Sequence, residues 1–599
     1  MGNKDKDKFL ALARRRFAQI EVAELDIRAA SLEDLKFTYN VEDGQWPESI
    51  RNERISESRP CLTSNKLRKY VAQVANRERD QRLAGKVRPV DDNADVKTAK
   101  VIEGLIRQIE YASKADEIYA DAGEKAIAGG FGYWRIITKE KDDSFEQEVF
   151  IEKIDNQFSV YLDPRGNYAF IRKSISKEEF EDRYPGKTVA SFDQTVAGEE
   201  YSQWYEEDRV FIAEYFYKER YDKTIAECMN LVTGEIKIVE LKEEMTSESL
   251  IEKGYQVLRQ KTKKANKIKW AKINGYEVLE EGDWVGKNIP IIEVVGDKVN
   301  IGGKEYKRSL IRDAKSPQQM YNYFLTHMTE TMALVPKSPY IVTPQEIKGF
   351  ESMWNVANVK NYPYLMFNPQ GNRVPKRELP PQIQTGAGQL LQIAAVDIQD
   401  TIGMYEASFG EKSNERTGIA IKMRAGRSDF GTYHFSDNFR RAILETVRHL
   451  IDIIPKVYDT QRVIRILGED GAGEELVEIN KEMISPLTGQ KRIINDLTVG
   501  KYDVVADVKM WSTRRQESAE LMANIMQASP NIAPLILDLV FKYNDFPGAS
   551  EVEKRIKEHM PSLLGEKPGK DIDIEQEQSP AGEQNLPREG EGAPQWMKR

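Results

Sequence analysis

The chain has 599 residues, of which 88 are basic and 97 acidic, so its formal net charge is −9, and its mean hydropathy is −0.60. A chain of this length divides into several domains, because single hydrophobic cores stop growing at about 250–300 residues. Its 8 Trp, 26 Tyr and 21 Phe exclude a disordered protein, and Cys61 and Cys228 cannot form a disulfide framework. The sequence shows neither a membrane-spanning run nor a secretory signal. We therefore expect a soluble, multidomain, acidic protein made inside the cell.

Motifs for metal-dependent or nucleotide-dependent catalysis are missing from the sequence. Four His and two Cys supply no metal-ligand spacing. The nearest nucleotide motif is Gly186-Lys187-Thr188, but Glu181 stands where a phosphate-binding loop needs Gly, and the preceding residues read as a helix where the motif needs a strand. We therefore predict no catalytic residues, no cofactor and no metal site.

The first half of the chain changes from helix to strand. Apolar periodicity predicts helices over residues 10–83 and 100–128. Gly129-Gly130-Phe131-Gly132 then favours a tight turn into a strand. Strands are predicted at residues 133–138, 149–154, 160–162, 210–216, 236–241 and 289–295.

A lysine-rich run at residues 253–272 contains no acidic residue. It has two interpretations. A basic run of this kind can bind nucleic acid. It can also be the exposed face of a twisted β-ribbon, with Val257, Ile268, Trp270 and Ile273 as one buried side. We favour the exposed ribbon.

Two amphipathic helices, at residues 309–334 and from 388 to about 407, flank a proline-rich insertion. Within the insertion, residues 362–367 favour an aromatic strand. This pattern indicates a helical hairpin with a small β-containing module at its tip. An ordinary helical domain with a long connection is the alternative.

The last third begins with a polar stretch at residues 408–418, followed by a helical tract to Tyr458. We expect this tract to kink or stop at Pro455. Strands follow at 462–467 and 504–510, and helices from 514 to about 564. The composition from residue 566 onward favours a disordered tail.

The order of these elements resembles the portal proteins of tailed double-stranded DNA phages, closest to the podovirus type. The resemblance covers roughly residues 10–565. The segments that carry it are residues 28–34 with the following Gln45-Trp46, the glycine-then-strand element 129–135, the strand 160–164 ending in Asp-Pro, residues 312–340 with 344–347 and 361–364, and residues 388–418 with the long helix after them.

The resemblance implies an α+β portal fold assembled as a ring. The domains it implies are N-terminal helices and a β-rich wing at 1–304, a first stem helix at 305–336, a clip at 337–384, a second stem helix at 385–408, a tunnel loop at 409–418, a long wing helix with C-terminal wing strands at 419–512, a helical crown at 513–565 and a disordered tail at 566–599. A long C-terminal barrel, which some podovirus-type portals carry, is not expected.

The resemblance also implies a function and partners. The ring, a dodecamer in the family, would conduct double-stranded DNA at one capsid vertex during packaging and ejection. Its partners would be the terminase large subunit, the major capsid and scaffolding proteins and the tail adaptors, with no membrane. We expect the protein in the virion, after assembly in the cytoplasm of the host bacterium.

Two groups of site residues follow from the resemblance. In the tunnel loop, Lys412 and Arg416, with Ser413 and Asn414, would meet the DNA; alternatively, Glu411 and Glu415 pair locally with the two basic residues of a surface connection. In the clip, three basic residues would face terminase or the adaptor, or would merely solvate a loop: Arg373, Lys376 and Arg377.

Two other classes of protein remain as alternatives. One is a DNA-processing packaging enzyme, a terminase-like ATPase or nuclease, which the missing phosphate-binding loop disfavours. The other is a head–tail adaptor or scaffold of different architecture.

Overall fold

The computed structural model describes residues 3–80, 83–90, 95–141, 146–189, 191, 209–231, 234, 236–241, 247–252, 254–334, 340–357, 360, 362–378, 385–404, 429–467, 474–484 and 491–508. All of them belong to the first of two units, Met1–Lys509. The predicted tunnel loop, crown and tail therefore lie outside the described residues.

The helices, numbered in chain order, are α1 Asn3–Tyr39, α2 Glu48–Ser56, α3 Leu67–Asp80, α4 Val96–Ala112, α5 Ala115–Gly129, α6 Lys177–Arg183, α7 Ser247–Glu252, α8 Lys315–Leu334, α9 Pro344–Ile347, α10 Glu351–Trp354, α11 Thr385–Ile402 and α12 Tyr433–Val457.

The strands are β1 Leu83–Pro89, β2 Phe131–Glu140, β3 Gln147–Lys153, β4 Val160–Leu162, β5 Tyr168–Ser176, β6 Arg209–Asn230, β7 Ile236–Leu241, β8 Tyr255–Ile273, β9 Val278–Asp283, β10 Ile291–Val295, β11 Asp297–Ile301, β12 Lys304–Arg308, β13 Tyr340–Ile341, β14 Lys376–Arg377, β15 Arg462–Leu467, β16 Glu474–Ile479, β17 Lys481–Ile484, β18 Lys491–Ile494 and β19 Tyr502–Val508. The mixture of helix and strand confirms the α+β class.

The predicted N-terminal helices are confirmed, with breaks that the periodicity did not locate. Asn40 adopts a left-handed conformation (φ 51°) directly after α1. Lys114 does the same (φ 52°) between α4 and α5. The tight turn at the glycines is also confirmed: Gly130 ends α5 with φ +97°, and its N–H donates to the carbonyl of Ala126 at 2.8 Å.

A three-stranded sheet, in the order β10–β2–β3, packs closely against α5. A Cβ added at Gly132 of β2 would lie 2.2 Å from the Ala122 carbonyl oxygen of α5. On the same sheet Trp134 is fully buried, and its Nε1 donates to Thr446 Oγ1 of α12 at 2.9 Å. The close contact between α5 and β2 therefore requires glycine at position 132.

The second sheet runs β4–β5–β6–β8–β9, with β7 paired to β6. We predicted one buried side for β8, and this is wrong. Ile268 and Trp270 pack in one cluster with Phe131, whereas Ile273 packs in the opposite cluster with Phe17 of α1. Successive strand residues point to opposite faces, and this end of the strand is covered on both.

The lysine-rich run lies on β8, and most of residues 256–267 are exposed. Several of its cations form ion pairs with acidic residues of the neighbouring strands: Lys264 with Asp222 at 3.2 Å, Lys267 with Asp283 at 2.5 Å and Lys269 with Glu219 at 2.8 Å. This pairing supports the exposed β-ribbon over a nucleic-acid site.

Helices α8 and α11 pack against each other, as predicted for a helical hairpin. Between them, β13 pairs with β14, and α9 and α10 follow β13. The aromatic strand predicted at residues 362–367 is wrong, because the structure has no strand there. Pro363 lacks an N–H for a ladder, and the carbonyl of Met366 accepts instead from Trp354 Nε1 at 2.8 Å.

Helix α12 crosses the main core, where Val447, Leu450 and Ile454 are essentially inaccessible to solvent. We expected a kink or stop at Pro455, but the helix continues to Val457. A proline so close to the end costs only the N–H bond of the last turn. The strand predicted at 462–467 is confirmed as β15, and β19 begins two residues before the predicted 504.

Candidate functional site

Helix α8, the predicted first stem helix, carries polar side chains four residues apart on one buried face. Gln318, Asn322 and Thr326 are each at most 1% exposed. The backbone N–H groups of alternate residues in the extended segment 61–66 donate to them: Lys66 to Gln318 Oε1 at 3.1 Å, Ser64 to Asn322 Oδ1 at 3.0 Å and Leu62 to Thr326 Oγ1 at 3.1 Å. We call this arrangement the polar seam.

Simple geometry explains the match. Four residues of an α-helix rise about 6 Å, and two residues of an extended chain span about 6.6 Å. Each fourth side chain of the helix therefore meets each second N–H of the strand-like segment. The seam supplies hydrogen-bond acceptors to the N–H groups of residues 62, 64 and 66, which do not pair with any described strand. The polar spacing at 318, 322 and 326 is visible in the sequence, but the amphipathic pattern by itself predicts only a helix.

Both ends of the seam are closed by ion pairs. At the far end, Glu330 binds Arg54 Nη2 at 2.9 Å and Arg59 Nε at 2.6 Å. Hydrogen bonds from Arg59 and Arg54 lower the pKa of Glu330 to about 2. At the near end, the inaccessible carboxylate of Asp34 pairs with Lys315 at 2.7 Å and with Arg312 at 2.6 Å. Helix α8 is thus held to the N-terminal helices along its length.

The Gln45-Trp46 pair, which contributed to the resemblance, lies against the middle of α8. Trp46 Nε1 donates to Thr63 Oγ1 at 3.1 Å, and its ring centroid lies 6.4 Å from that of Tyr323. Gln45 Nε2 donates to the carbonyl of Phe37 at 3.0 Å. These two residues connect the end of α1 to the stem helix.

The exposed surface of α8 and α11, the two predicted stem helices, is poor in charge. Their described residues include Lys315, Glu330, Asp397 and Asp400 as the formally charged groups. Lys315 and Glu330 are committed to the ion pairs above. The solvent-facing charges of this surface are therefore two carboxylates, Asp397 and Asp400.

The predicted tunnel-loop residues Lys412, Ser413, Asn414 and Arg416 lie outside the described residues, as does everything from 405 to 428. The residues on either side are described: α11 ends at Ile402, and α12 begins at Tyr433. The role of the loop therefore stays a prediction.

Two of the predicted clip residues, Lys376 and Arg377, form strand β14. Arg377 pairs in register with Tyr340, and its guanidinium carbon lies 5.1 Å from the centre of the Tyr340 ring. Tyr340 in turn contacts Trp354 edge to face, with 5.2 Å between ring centroids. Both residues are exposed, and Arg377 is in addition partly structural.

The third predicted clip residue, Arg373, faces a buried carboxylate. Its Nε lies 3.6 Å from Glu346 Oε1, and the Glu346 side chain is inaccessible to solvent. The N–H of Thr343 donates to Glu346 Oε2 at 2.7 Å and, with the Arg373 charge, holds the pKa of that carboxyl below its ordinary value. The three basic residues are therefore close in sequence but differ in environment.

The charge of the clip contrasts with that of the whole chain. Residues 337–384 contain six basic and three acidic side chains, hence a net charge of +3, while the chain carries −9. One of the three acids, Glu346, is buried. Among the described residues of the clip, five basic and two acidic side chains are exposed, so this part of its surface is basic.

The donor groups of Gly186-Lys187-Thr188, the sequence nearest to a nucleotide motif, bind a carboxylate. Lys187 Nζ lies 3.0 Å from Glu277 Oε2, and the N–H of Thr188 donates to Glu277 Oε1 at 2.7 Å. The segment follows helix α6. Its donors bind an acidic side chain of the same chain in place of a phosphate.

Within the part of the chain that the structure describes, no group of His, Cys, Asp or Glu residues is placed to hold a metal ion. No helix among the described residues combines the length and the apolar character needed to cross a bilayer.

A mixed α/β body with a basic module between two neighbouring helices is compatible with the class of protein that the sequence resembles, a subunit of a phage portal. Comparison with protein families identifies the family. A family model described as "Phage P22-like portal protein" matches residues 14–595, so the chain belongs to the P22-like phage portal protein family.

A curated relative supports the same assignment. The chain is 25% identical over 541 residues to the portal protein of Acyrthosiphon pisum secondary endosymbiont phage 1, and the match covers 86% of this chain and 75% of that protein. The role of the chain is that of a phage portal protein, in a family that is structural and not a known family of enzymes.

Proposed function

We propose that this chain assembles as a dodecameric ring at a unique capsid vertex and forms the channel for double-stranded DNA. DNA enters through the ring during packaging and leaves through it at ejection. The clip docks the terminase large subunit first and the tail adaptor proteins later. The major capsid and scaffolding proteins are further partners of the ring.

The observation that carries the channel proposal is the charge of the stem surface. A conduit for a polyanion must not bind it tightly, and phosphate-neutralising Lys or Arg would create a salt-sensitive affinity. The solvent-facing charges on the described residues of α8 and α11 are Asp397 and Asp400. A ring of such helices repels phosphates, so DNA can move along it without being held.

The basic clip supports the docking proposal. A module of net charge +3 on a chain of −9 is a local positive surface, and charged patches of this kind steer the encounter with an acidic partner. Arg373 and Arg377 are partly used inside the clip. Lys376 is therefore the clip residue that we assign first to contact with terminase or adaptor.

The tunnel loop, residues 409–418, supplies the basic side chains for transient DNA contact in this proposal. Lys412 and Arg416 would touch phosphates, with Ser413 and Asn414 beside them. Solvated contacts of this kind are individually weak. They can therefore restrain slippage of packaged DNA without stopping its movement.

The test is electron microscopy of the purified full-length chain, together with an ATP hydrolysis assay with and without DNA. We expect class averages of closed rings with a central hole and no turnover of ATP. Monomers under all conditions contradict the portal ring. ATP turnover by the chain itself favours the terminase-like alternative.

A further inference from the structure

The two longest strands, β6 and β8, continue well beyond the strands that flank them. Strand β5 pairs with β6 as far as Tyr217, and β9 pairs with β8 from Lys269 onward. Past these points, residues 218–230 and 255–268 pair with each other, and β7 joins them near the end. We call residues 218–230 and 255–268 the arm. At about 3.4 Å per residue, the arm is about 40 Å long.

One face of the small sheet at the end of the arm is covered by helix α7. Ala226 and Cys228 of β6 are inaccessible to solvent and form a buried cluster with Leu250 of that helix. Successive residues of a strand point to opposite faces. The other face carries Ile236 and Ile238 of β7, which are 56% and 69% exposed. We call this second face the open face.

The register of the strands shows which side chains share the open face, because cross-strand partners point to the same side of a sheet. Glu227 lies opposite Ile238 of β7. Ile225, two residues earlier and on the same side, lies opposite Lys261 of β8. Lys263 is the next alternate residue of β8. The open face therefore combines two exposed isoleucines with two exposed lysines.

The two lysines of the open face form no ion pair with a described residue. The acidic residues of the arm are all engaged elsewhere: Glu219 with Lys269, Asp222 with Lys264 and Glu227 with Arg259. Lys263 also lies directly opposite Lys223, which is itself bound by Glu240. Like charges in this position destabilise an antiparallel pair. A carboxylate from another molecule would relieve the repulsion at Lys263.

The charge of the arm indicates which molecule supplies it. The arm contains eight basic and three acidic residues, hence a net charge of +5, and the rest of the chain, which we call the body, carries −14. A positive arm repels a second positive arm and is attracted by the body of a second copy. A contact between two different surfaces of one chain is heterologous, and such contacts can close into a ring.

We propose that the open face of the arm docks on the body of the neighbouring copy in the ring. Ile236 and Ile238 are its apolar contacts, and Lys261 and Lys263 are its ionic contacts. The inference rests on the portal ring proposed above and assigns a surface by which the subunits hold one another. Apolar side chains exclude water at the centre of such a contact, while the charges beside them select an acidic partner.

The first experiment measures assembly of the purified full-length chain by sedimentation velocity over a range of concentrations. Lys261→Glu with Lys263→Glu should raise the concentration needed for assembly at least about tenfold, because two attractive contacts become repulsive. The matched control is Lys218→Glu with Arg220→Glu, which changes the charge of the same arm equally but on the opposite side of β6. The control should remain within about threefold of the parent, since its charges act only at a distance.

Ile238→Ser tests the apolar part of the contact. Because this side chain is exposed in the single chain, its replacement should leave the melting temperature of the unassembled protein unchanged. Assembly should require at least about a threefold higher concentration, because the isoleucine becomes buried only between copies. The control is Ile251→Ser, a similarly exposed residue of α7, which covers the other face of the arm.

A second measurement needs no variant. Acetylation of lysines, read by mass spectrometry, compares the unassembled chain with the assembled ring. Lys261 and Lys263 should lose most of their reactivity on assembly. Lys264 lies between them and the body on the opposite side of the same strand, is 77% exposed and should remain as reactive as before.

The outcomes separate the arm contact from the ring itself. If the parent forms rings and Lys261→Glu with Lys263→Glu assembles equally well, the arm contact is overturned and the ring stands. Equal losses in the two double variants, or unchanged reactivity of Lys261 and Lys263 on assembly, overturn it as well. A parent that stays monomeric under all conditions contradicts both the ring and the arm contact.

Discussion

Asn322 Nδ2 donates to Gln45 Oε1 at 2.8 Å, although 277 residues separate the two in the sequence. Both side chains are only 1% exposed. The same Asn322 accepts from the N–H of Ser64 and from Gln318 Nε2 at 3.0 Å each. One side chain of the stem helix therefore joins the N-terminal helices, the extended segment and the next turn of its own helix.

Replacing Asn322 by Ala should destabilise the protein. The change leaves Gln45 Oε1 and the Ser64 N–H buried without this partner, at about 1–3 kcal/mol for each group. Chemical denaturation of the purified chain measures the loss. Thr329→Ala, on the exposed side of the same helix, is the control and should change the unfolding free energy by less than about 0.5 kcal/mol. Equal effects of the two changes would contradict the importance of the seam.

Glu330 should make stability depend on acid pH. Because its pKa is about 2 in the folded chain and 4.5 ordinarily, the stabilisation is complete above about pH 4.5 and is lost as the pH falls toward 2. The measurement is the difference in unfolding free energy between the parent and Glu330→Gln as a function of pH. We expect a constant difference from pH 7 to 5 that shrinks below 4.5. A difference that does not change down to pH 3 would contradict the ion pairs with Arg54 and Arg59.

Gly132→Ala should be strongly destabilising because the new Cβ would lie 2.2 Å from a backbone oxygen of α5. Neither the strand nor the helix can move away without opening the core, so we expect a loss of about 3 kcal/mol. Gly386→Ala is the control, since nothing lies within 4 Å of its Cβ position. Thermal unfolding compares the two; similar melting temperatures would show that α5 does not lie directly on β2.

In the clip, Lys376→Glu with Arg377→Glu should leave rings intact and weaken terminase docking. The single change Lys376→Glu separates docking from folding, because the change at Arg377 also removes the stacking of its guanidinium on Tyr340. A pull-down with purified terminase measures binding, and electron microscopy checks the rings. Lys348→Glu, an exposed clip lysine outside β14, tests whether any charge reversal suffices. Unchanged docking by the double variant would remove these residues from the interface.

For the tunnel loop, Lys412→Ala with Arg416→Ala should allow normal ring assembly but alter the retention or length of packaged DNA. The expected cause is the loss of transient phosphate contacts. The matched control is Ser413→Ala with Asn414→Ala, which keeps the charge of the same loop. The length of DNA in purified particles gives the result, and packaging equal to the parent in the charge-removal variant would exclude the loop from the mechanism.

Local patterns predicted much of the fold. The strands at 160–162, 236–241 and 462–467 have the predicted bounds, because alternation and turn residues are local signals. The long helices near the N-terminus were predicted from apolar periodicity, which is also a local signal. The errors are also local: the structure has no strand at Pro363, and the helix predicted to kink or stop at Pro455 continues two residues further, to Val457.

The relationships between distant segments could not be predicted in this way. The four-residue spacing of Gln318, Asn322 and Thr326 is visible, but nothing local reveals that residues 62–66 meet it. The resemblance predicted the basic clip residues as a group. All three are exposed, and only the structure shows that Arg377 and Arg373 have partners inside the clip.

Strand β1 pairs with β19 in antiparallel register, from Leu83 opposite Val508 to Pro89 opposite Tyr502. On the ribosome, β1 emerges more than 400 residues before its partner. Strand β1 therefore lacks its partner β19 during nearly all of synthesis. Unpaired strands of this kind can associate with other chains. We expect this two-stranded sheet to form in a late, slow step of folding, since the chain of more than 400 residues between its strands must first bring them together. A nascent chain interrupted before residue 500 cannot form it at all.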